Sequence, residues 1–323
     1  MAFNQIPPEL YLNYILPHAV RKPMKLLNWI DIKELYWSGL SGNPNAIDLI
    51  TDQLKVNPDE INWFYLSLNT GAIELLKQYP DRINWSNLSN NTSAIKLITE
   101  QLKVNNPSVL NWLSLSNNPN AIELITEQLK VNKSNINKVV NWQYLSKNPS
   151  AIKLLKANPD KINWMWLSDN TNPEAIELLK QYPDKIDWSR LSKNPSAIEL
   201  LKQYPDKIDW SRLSKNPSAI ELLKQNPDKI DWDSLSENPG AIDLITNQLK
   251  INPEVLSWAL LSQNPSAIDI IINQLKTNQS NINNILSVLN WGYLSFNPSI
   301  FEIDYKKWDK LILEYYKRFI NTN

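Results

Sequence analysis

Apolar residues fall in short bursts along the chain, punctuated by Asn, Ser and Pro, and the whole arrangement recurs. Lys180 to Leu201 reads KQYPDKIDWSRLSKNPSAIELL, and Lys202 to Leu223 repeats it letter for letter. Looser copies are anchored by Trp37, Trp63, Trp85, Trp112, Trp142, Trp164, Trp232, Trp258 and Trp291. The common frame is aliphatic–(Asn/Asp/Ser)–Trp–x–x–Leu–Ser–x–Asn–Pro–x–Ala–Ile–x–Leu–Leu/Ile. With Trp188 and Trp210 there are about eleven units between residues 37 and 300, a solenoid signature by period and copy number.

Each unit carries two helix starts. Asn, Asp or Ser precedes nearly every Trp and predicts an N-cap, its side-chain oxygen accepting from the free N–H groups of the first turn. An aliphatic residue before that cap and a Leu three residues after the Trp have the spacing of a hydrophobic staple, so a short first helix begins at each Trp. A second helix follows Asn-Pro, as at Asn194-Pro195, where Pro suits a first helical position. Ala197, Ile198, Leu201 and Tyr204 then share one face, and the following Pro205 ends the helix.

The intervals between copies support helices. Ala197 to Trp210 is 13 residues; Ala46 to Trp63 and Ala241 to Trp258 are four longer, and Ala121 to Trp142 eight longer. Additions near four preserve the register of a helix with about 3.6 residues per turn. The excesses of five from Ala94 to Trp112 and eleven from Ala267 to Trp291 fit less neatly. The expected fold is an all-α, elongated αα-solenoid of two-helix repeats with a minimum period of 22 residues. At about 9–10 Å per unit it would be a rod on the order of 100 Å long. The alternative is a leucine-rich-repeat-like β/α solenoid, suggested by Leu-Ser-x-Asn at the same period; against it, Trp-x-x-Leu lacks strand alternation. Residues 1–36 are expected to form an N-terminal helical cap, 37–300 the solenoid and 301–323 a C-terminal capping helix. Units with longer second helices flank the short ones and predict raised margins around a lower central surface.

Composition narrows the chemistry. Of 323 residues, 33 are Lys or Arg and 33 Asp or Glu, which removes the basic excess of a non-specific nucleic-acid or anionic-membrane binder. No Cys is present, and the single His18 has no evident catalytic partners, so no metal, cofactor or small-molecule substrate is expected. Five scattered Gly make no phosphate loop. No run approaches the about 18–20 apolar residues of a membrane helix, and residues 1–20 lack a signal-peptide pattern, so an intracellular location is expected.

At the level of Trp-x-x-Leu-Ser-x-Asn-Pro-x-Ala-Ile-x-Leu-Leu, residues 37–300 resemble the largely uncharacterised, mimivirus-like repeat proteins of giant DNA viruses. Thr171-Asn172, Tyr36 before Trp37, and Pro298-Ser299-Ile300 depart from the pattern. The resemblance implies a viral origin and a solenoid, placing the protein in a host cytoplasm or virion. Separately, Ile6 to Leu16 resembles the start of an F-box.

The positions that change from copy to copy carry the functional expectation. The two residues after each Trp fall at the second and third helical positions and are expected to point outward. There Phe64, Tyr65, Tyr144, Met165, Trp166, Arg190, Arg212 and Tyr293 are of types enriched in protein interfaces. The expected function is a non-catalytic protein–protein interaction scaffold or adaptor. A virion component and an F-box-like ubiquitin-ligase adaptor are alternatives. The Asn and Ser columns, such as Asn194 and Ser192, are expected to cap helices and nothing more.

Overall fold

Each first helix starts at its Trp because the residue before it caps it. In ten repeats the Asn62, Asn84, Asn111, Asn141, Asn163, Asp187, Asp209, Asp231, Ser257 or Asn290 side chain accepts the backbone N–H three residues on. Tyr36, the exception, gives no side-chain cap to the first repeat. The computed structural model describes residues 21–103, 110–131, 140–277 and 286–322. His18 and the F-box-like segment lie outside the described residues, as do the ends of the longest inter-repeat intervals, 104–109, 132–139 and 278–285.

The first four repeats are α1 (Trp37–Gly42) with α2 (Ile47–Val56), α3 (Trp63–Leu68) with α4 (Ile73–Leu76), α5 (Trp85–Leu88) with α6 (Ile95–Lys103), and α7 (Trp112–Asn117) with α8 (Ile122–Val131). The next four are α9 (Trp142–Lys147) with α10 (Ile152–Lys156), α11 (Trp164–Leu167) with α12 (Pro173–Gln181), α13 (Trp188–Lys193) with α14 (Ile198–Gln203), and α15 (Trp210–Ser214) with α16 (Ile220–Gln225). Then come α17 (Trp232–Ser236) with α18 (Ile242–Ile251), α19 (Trp258–Gln263) with α20 (Ile268–Thr277), α21 (Trp291–Phe296), and a terminal α22 (Tyr305–Thr322). The all-α solenoid is therefore the fold, and Leu-Ser-x-Asn lies at the end of a helix instead of on a strand.

Short 3-10 turns join the helices. In the fourth, fifth, seventh and tenth repeats Asn-Pro-x-Ala forms one, as at Pro195–Ala197, and the second helix starts at the following Ile. Pro-Asp-Lys forms another, as at Pro205–Lys207. The inserted residues extend the second helix: α14 has 6 residues, α2 and α18 have 10. The core is built from the Leu of each first helix and the Ala beginning each second one, Leu66, Leu88, Leu191, Ala72 and Ala197 among them, all at 0% exposure. The indoles pack on this core from outside and stay half-buried; Trp63, Trp164 and Trp188 lean on Tyr79, Tyr182 and Tyr204 of their own repeats at 4.8–5.4 Å.

The solenoid closes on itself. Helix α21 packs on α1 as first helices pack on their neighbours round most of the ring, and β1 (Met24–Leu26) pairs antiparallel with β2 (Phe301–Ile303). Residues 21–36 are thus not the helical cap expected; they form a strand and a 3-10 turn (Ile32–Glu34), and Phe301 opens a strand ahead of α22. Apolar ends that an open solenoid would need to cap are buried on each other, with Ile300 at 0% exposure in the Ala column. Lys25 and Glu302 pair across the clasp at 3.0 Å, and Asp48 takes Arg21 at 2.6 Å and the Met24 backbone N–H at 3.0 Å. The eleven spacings that would have measured a rod on the order of 100 Å measure a circumference instead. With helices about 10 Å across, the opening is on the order of 20 Å wide.

Two columns of buried polar side chains run unbroken round this ring. The Asn after each first helix is buried, from Asn43 at 0% to Asn194 at 3%. In ten of eleven repeats its Nδ2 donates to two backbone carbonyls of the preceding repeat, those of the Ser and Asn columns. Asn216 bonds Ser192 and Asn194 at 3.0 Å each, and its Oδ1 accepts from Ser218 N–H at 3.0 Å. Asn148 makes the bond to Ser116 alone. Each column Ser donates to the carbonyl of its own Trp and accepts the cap residue's N–H from the next repeat, as Ser214 does from Asp231 at 3.1 Å. Asn43 treats Ser295 and Asn297 as its preceding repeat at 3.0 and 2.9 Å, and Tyr36 N–H reaches Ser295 Oγ at 2.9 Å. Capping accounts for one of the three Asn bonds; the other two are the mortar between repeats, which the capping expectation missed.

Candidate interaction face of the ring

First helices form the inner layer, since they touch round the ring while second helices mainly contact their own repeat. Tyr65 of the second repeat meets Phe296 of the eleventh at 5.2 Å, reaching past the first, which only the concave side of a curved solenoid permits. The expectation that the two residues after Trp point outward therefore holds only against the local core: the second of them, Tyr65 and its equivalents, is on the face of the opening.

The predicted residues gather in two places. Near the seam, Phe64 is half exposed at 50% and stacks edge-on with Tyr65 at 5.3 Å, which in turn meets Phe296. Two glycines admit this packing. A Cβ on Gly39 would stand 2.5 Å from the Ser295 Cβ, and one on Gly42 would stand 2.8 Å from the Phe296 ring. Tyr293, 42% exposed, sits on α21 with Phe296.

The second group spans repeats five to eight. Tyr144 meets Trp166 edge-on at 5.7 Å, with Met165 exposed beside it. Arg190 lies over the Trp166 ring at 4.9 Å, donates to Asp169 on the preceding repeat, and stands 3.7 Å from Asp187. Arg212 is exposed, with Asp209 at 3.8 Å. Lys147, Asp169, Thr171, Arg190, Lys193 and Arg212 share a hollow of about 340 Å³.

Lys147, Asp169, Lys193 and Phe296 were not among the predicted residues. All occupy the unspecified place between the Ser and the buried Asn, three residues beyond the predicted column, as Lys193 is beyond Arg190. That spacing puts both on one helical face. The variability of this place was the available signal. The recurring Glu of the second helices pairs with a Lys three residues on: Glu74, Glu177, Glu199 and Glu221 hold Lys77, Lys180, Lys202 and Lys224 at 2.7–2.8 Å. A separate hollow of about 380 Å³ at the seam is lined by Trp29, Asp31, Glu34 and Trp291 and contains none of the predicted residues.

Among the described residues no group of three His, Cys, Asp or Glu side chains is placed to hold a metal ion, and no helix is long and apolar enough to cross a membrane. Comparison with protein-family models, with curated proteins and with solved structures finds no match.

Proposed function

We propose that the ring is a non-catalytic interaction scaffold that holds a segment of another protein against its concave face. What supports this reading is the distribution of difference. Where repeats share core, caps and ladder, the positions facing the opening change between most of them and carry Tyr144, Trp166, Arg190 and Arg212 in four successive repeats. Aromatic and Arg side chains supply most of the energy at protein interfaces, and here they are preorganised by ring and ion-pair contacts. The test is affinity purification from cells that express the chain, in parallel with a variant carrying Tyr144, Trp166, Arg190 and Arg212 changed to Ala and checked for an unaltered unfolding midpoint. A partner retained by the natural chain is expected to drop at least about tenfold with the variant. Equal recovery by both would refute the face.

A further inference from the structure

We propose that the site on repeats five to eight takes an acidic peptide, a short extended segment whose carboxylates settle among Lys147, Arg190, Lys193 and Arg212. The inference rests on the interaction reading above and names the chemistry of the partner.

Charge is the first support. Lys147, Arg190, Lys193 and Arg212 line one hollow of about 340 Å³ with a single carboxylate, Asp169, which is already engaged by Arg190. Lys147 and Lys193 have no carboxylate within ion-pairing distance among the described residues. The whole chain balances 33 basic against 33 acidic residues, so this excess is local. Concave, partly desolvated surroundings strengthen the field that such cations project.

Preorganisation is the second. Trp166 carries Arg190 on its ring at 4.9 Å and Lys147 at 6.0 Å, and the Asp169 carboxylate fixes the guanidinium. Tyr144, Trp166 and Met165 also offer an apolar shoulder next to the cations for a flanking hydrophobic side chain.

Extent is the third, and it selects a peptide. The place held by Lys147, Lys193 and Lys215 is occupied by Gly42, Leu68, Asn90 and Asn117 in the first four repeats and by Glu237, Gln263 and Phe296 in the last three. The sixth repeat has Asp169 at that place, so the basic places lie in the fifth, seventh and eighth repeats, across three spacings or about 25–30 Å, which an extended chain covers in about eight or nine residues. Asp169 and Asp187 lie within 4 Å of Arg190, and Asp209 within 4 Å of Arg212. A polynucleotide would lay phosphates against those carboxylates, whereas a peptide can set its acidic side chains opposite the cations alone.

The test is fluorescence anisotropy with the full chain and a labelled peptide of about ten residues, Glu at alternate positions and one Leu near its start. Three comparisons accompany it: the same peptide with Gln for Glu, an oligothymidylate of similar length, and the K193E/R212E double variant. Saturable binding of the acidic peptide is expected, reduced at least about tenfold by the Gln peptide, by the double variant and by 0.5 M salt. No saturation up to about 1 mM peptide, or equal binding by K193E/R212E, overturns the inference. Tighter binding of the oligothymidylate also overturns it. If the quadruple alanine variant loses its partner in the affinity purification while K193E/R212E keeps it, the acidic chemistry falls and the interaction reading stands. If neither variant changes recovery, both fall.

Discussion

A buried asparagine amide has four hydrogen-bonding capacities, and Asn216 satisfies three of them with backbone groups at 3.0 Å. Asn216→Ala would strand the Ser192 and Asn194 carbonyls in a dry interior. A loss of about 2–4 kcal/mol is expected in urea unfolding, against under about 1 kcal/mol for Asn87→Ala, whose amide donates at an exposed place. Asp231 couples the caps to pH. The Ser234 backbone N–H donates to its carboxyl at 2.9 Å and holds it below the ordinary aspartate range, with the Ser211 and Ser234 hydroxyls and Lys215 adding to the effect. A depressed folded-state pKa gives stability that is present above the ordinary value and lost as pH falls through the folded one. Asp231→Asn keeps a capping oxygen but cannot titrate. Its stability is therefore expected to fall less than that of the natural chain between about pH 5 and pH 3, read from urea midpoints across that range. The caps could be read from Asn-Trp and Asp-Trp because both partners lie three residues apart. The Asn ladder could not, since its partners lie 22 to 35 residues away, and 252 and 254 at the seam.

Helices of four to ten residues are too short to persist alone, so every repeat borrows stability from its neighbours. Length can then vary only in ways that leave the packed face in place. Excising Thr246 to Leu249 from α18 shortens it by about one turn to the length of α14. This variant is expected to keep its helical circular dichroism and a cooperative transition. Excising Thr246 and Asn247 alone rotates the later residues of the helix by about 200°, and a lower unfolding midpoint than that of the four-residue excision is expected. The four-residue increments were legible in the sequence for this reason. The 3-10 turns at Pro-Asp-Lys were not, because Pro marks where an α-helix stops without fixing the conformation of the next residues.

Closure belongs to the molecule as a whole. Eleven repeats complete a turn at about 33° each, and a solenoid's curvature accumulates from just such small rotations. Lys25 and Glu302 face each other directly across the clasp. Cross-strand Cβ atoms stand about 4.5–5.5 Å apart, near what a disulfide requires. In a chain with no cysteine, K25C/E302C is expected to form one intramolecular bridge on oxidation, seen as faster migration in a non-reducing gel. Bridging so long a loop is expected to raise unfolding stability by up to about 5 kcal/mol. Only intermolecular bridges would mean an open ring. Gly39→Ala is expected to destabilise by about 1–3 kcal/mol, since its methyl would meet the Ser295 Cβ, and the loss should shrink when K25C/E302C already holds the seam.

What the amino-acid order determined by itself was local and periodic: the helix starts, the register of the insertions, the core columns and the number of repeats. Each depends on residues within a turn or two of one another. Closure, the inward aim of the variable side chains and the gathering of Lys147, Arg190, Lys193 and Arg212 were decided by tertiary structure. They depend on a per-repeat rotation set by how inner and outer helices pack, a quantity of a few tens of degrees that no single repeat encodes and that matters only when summed around the ring.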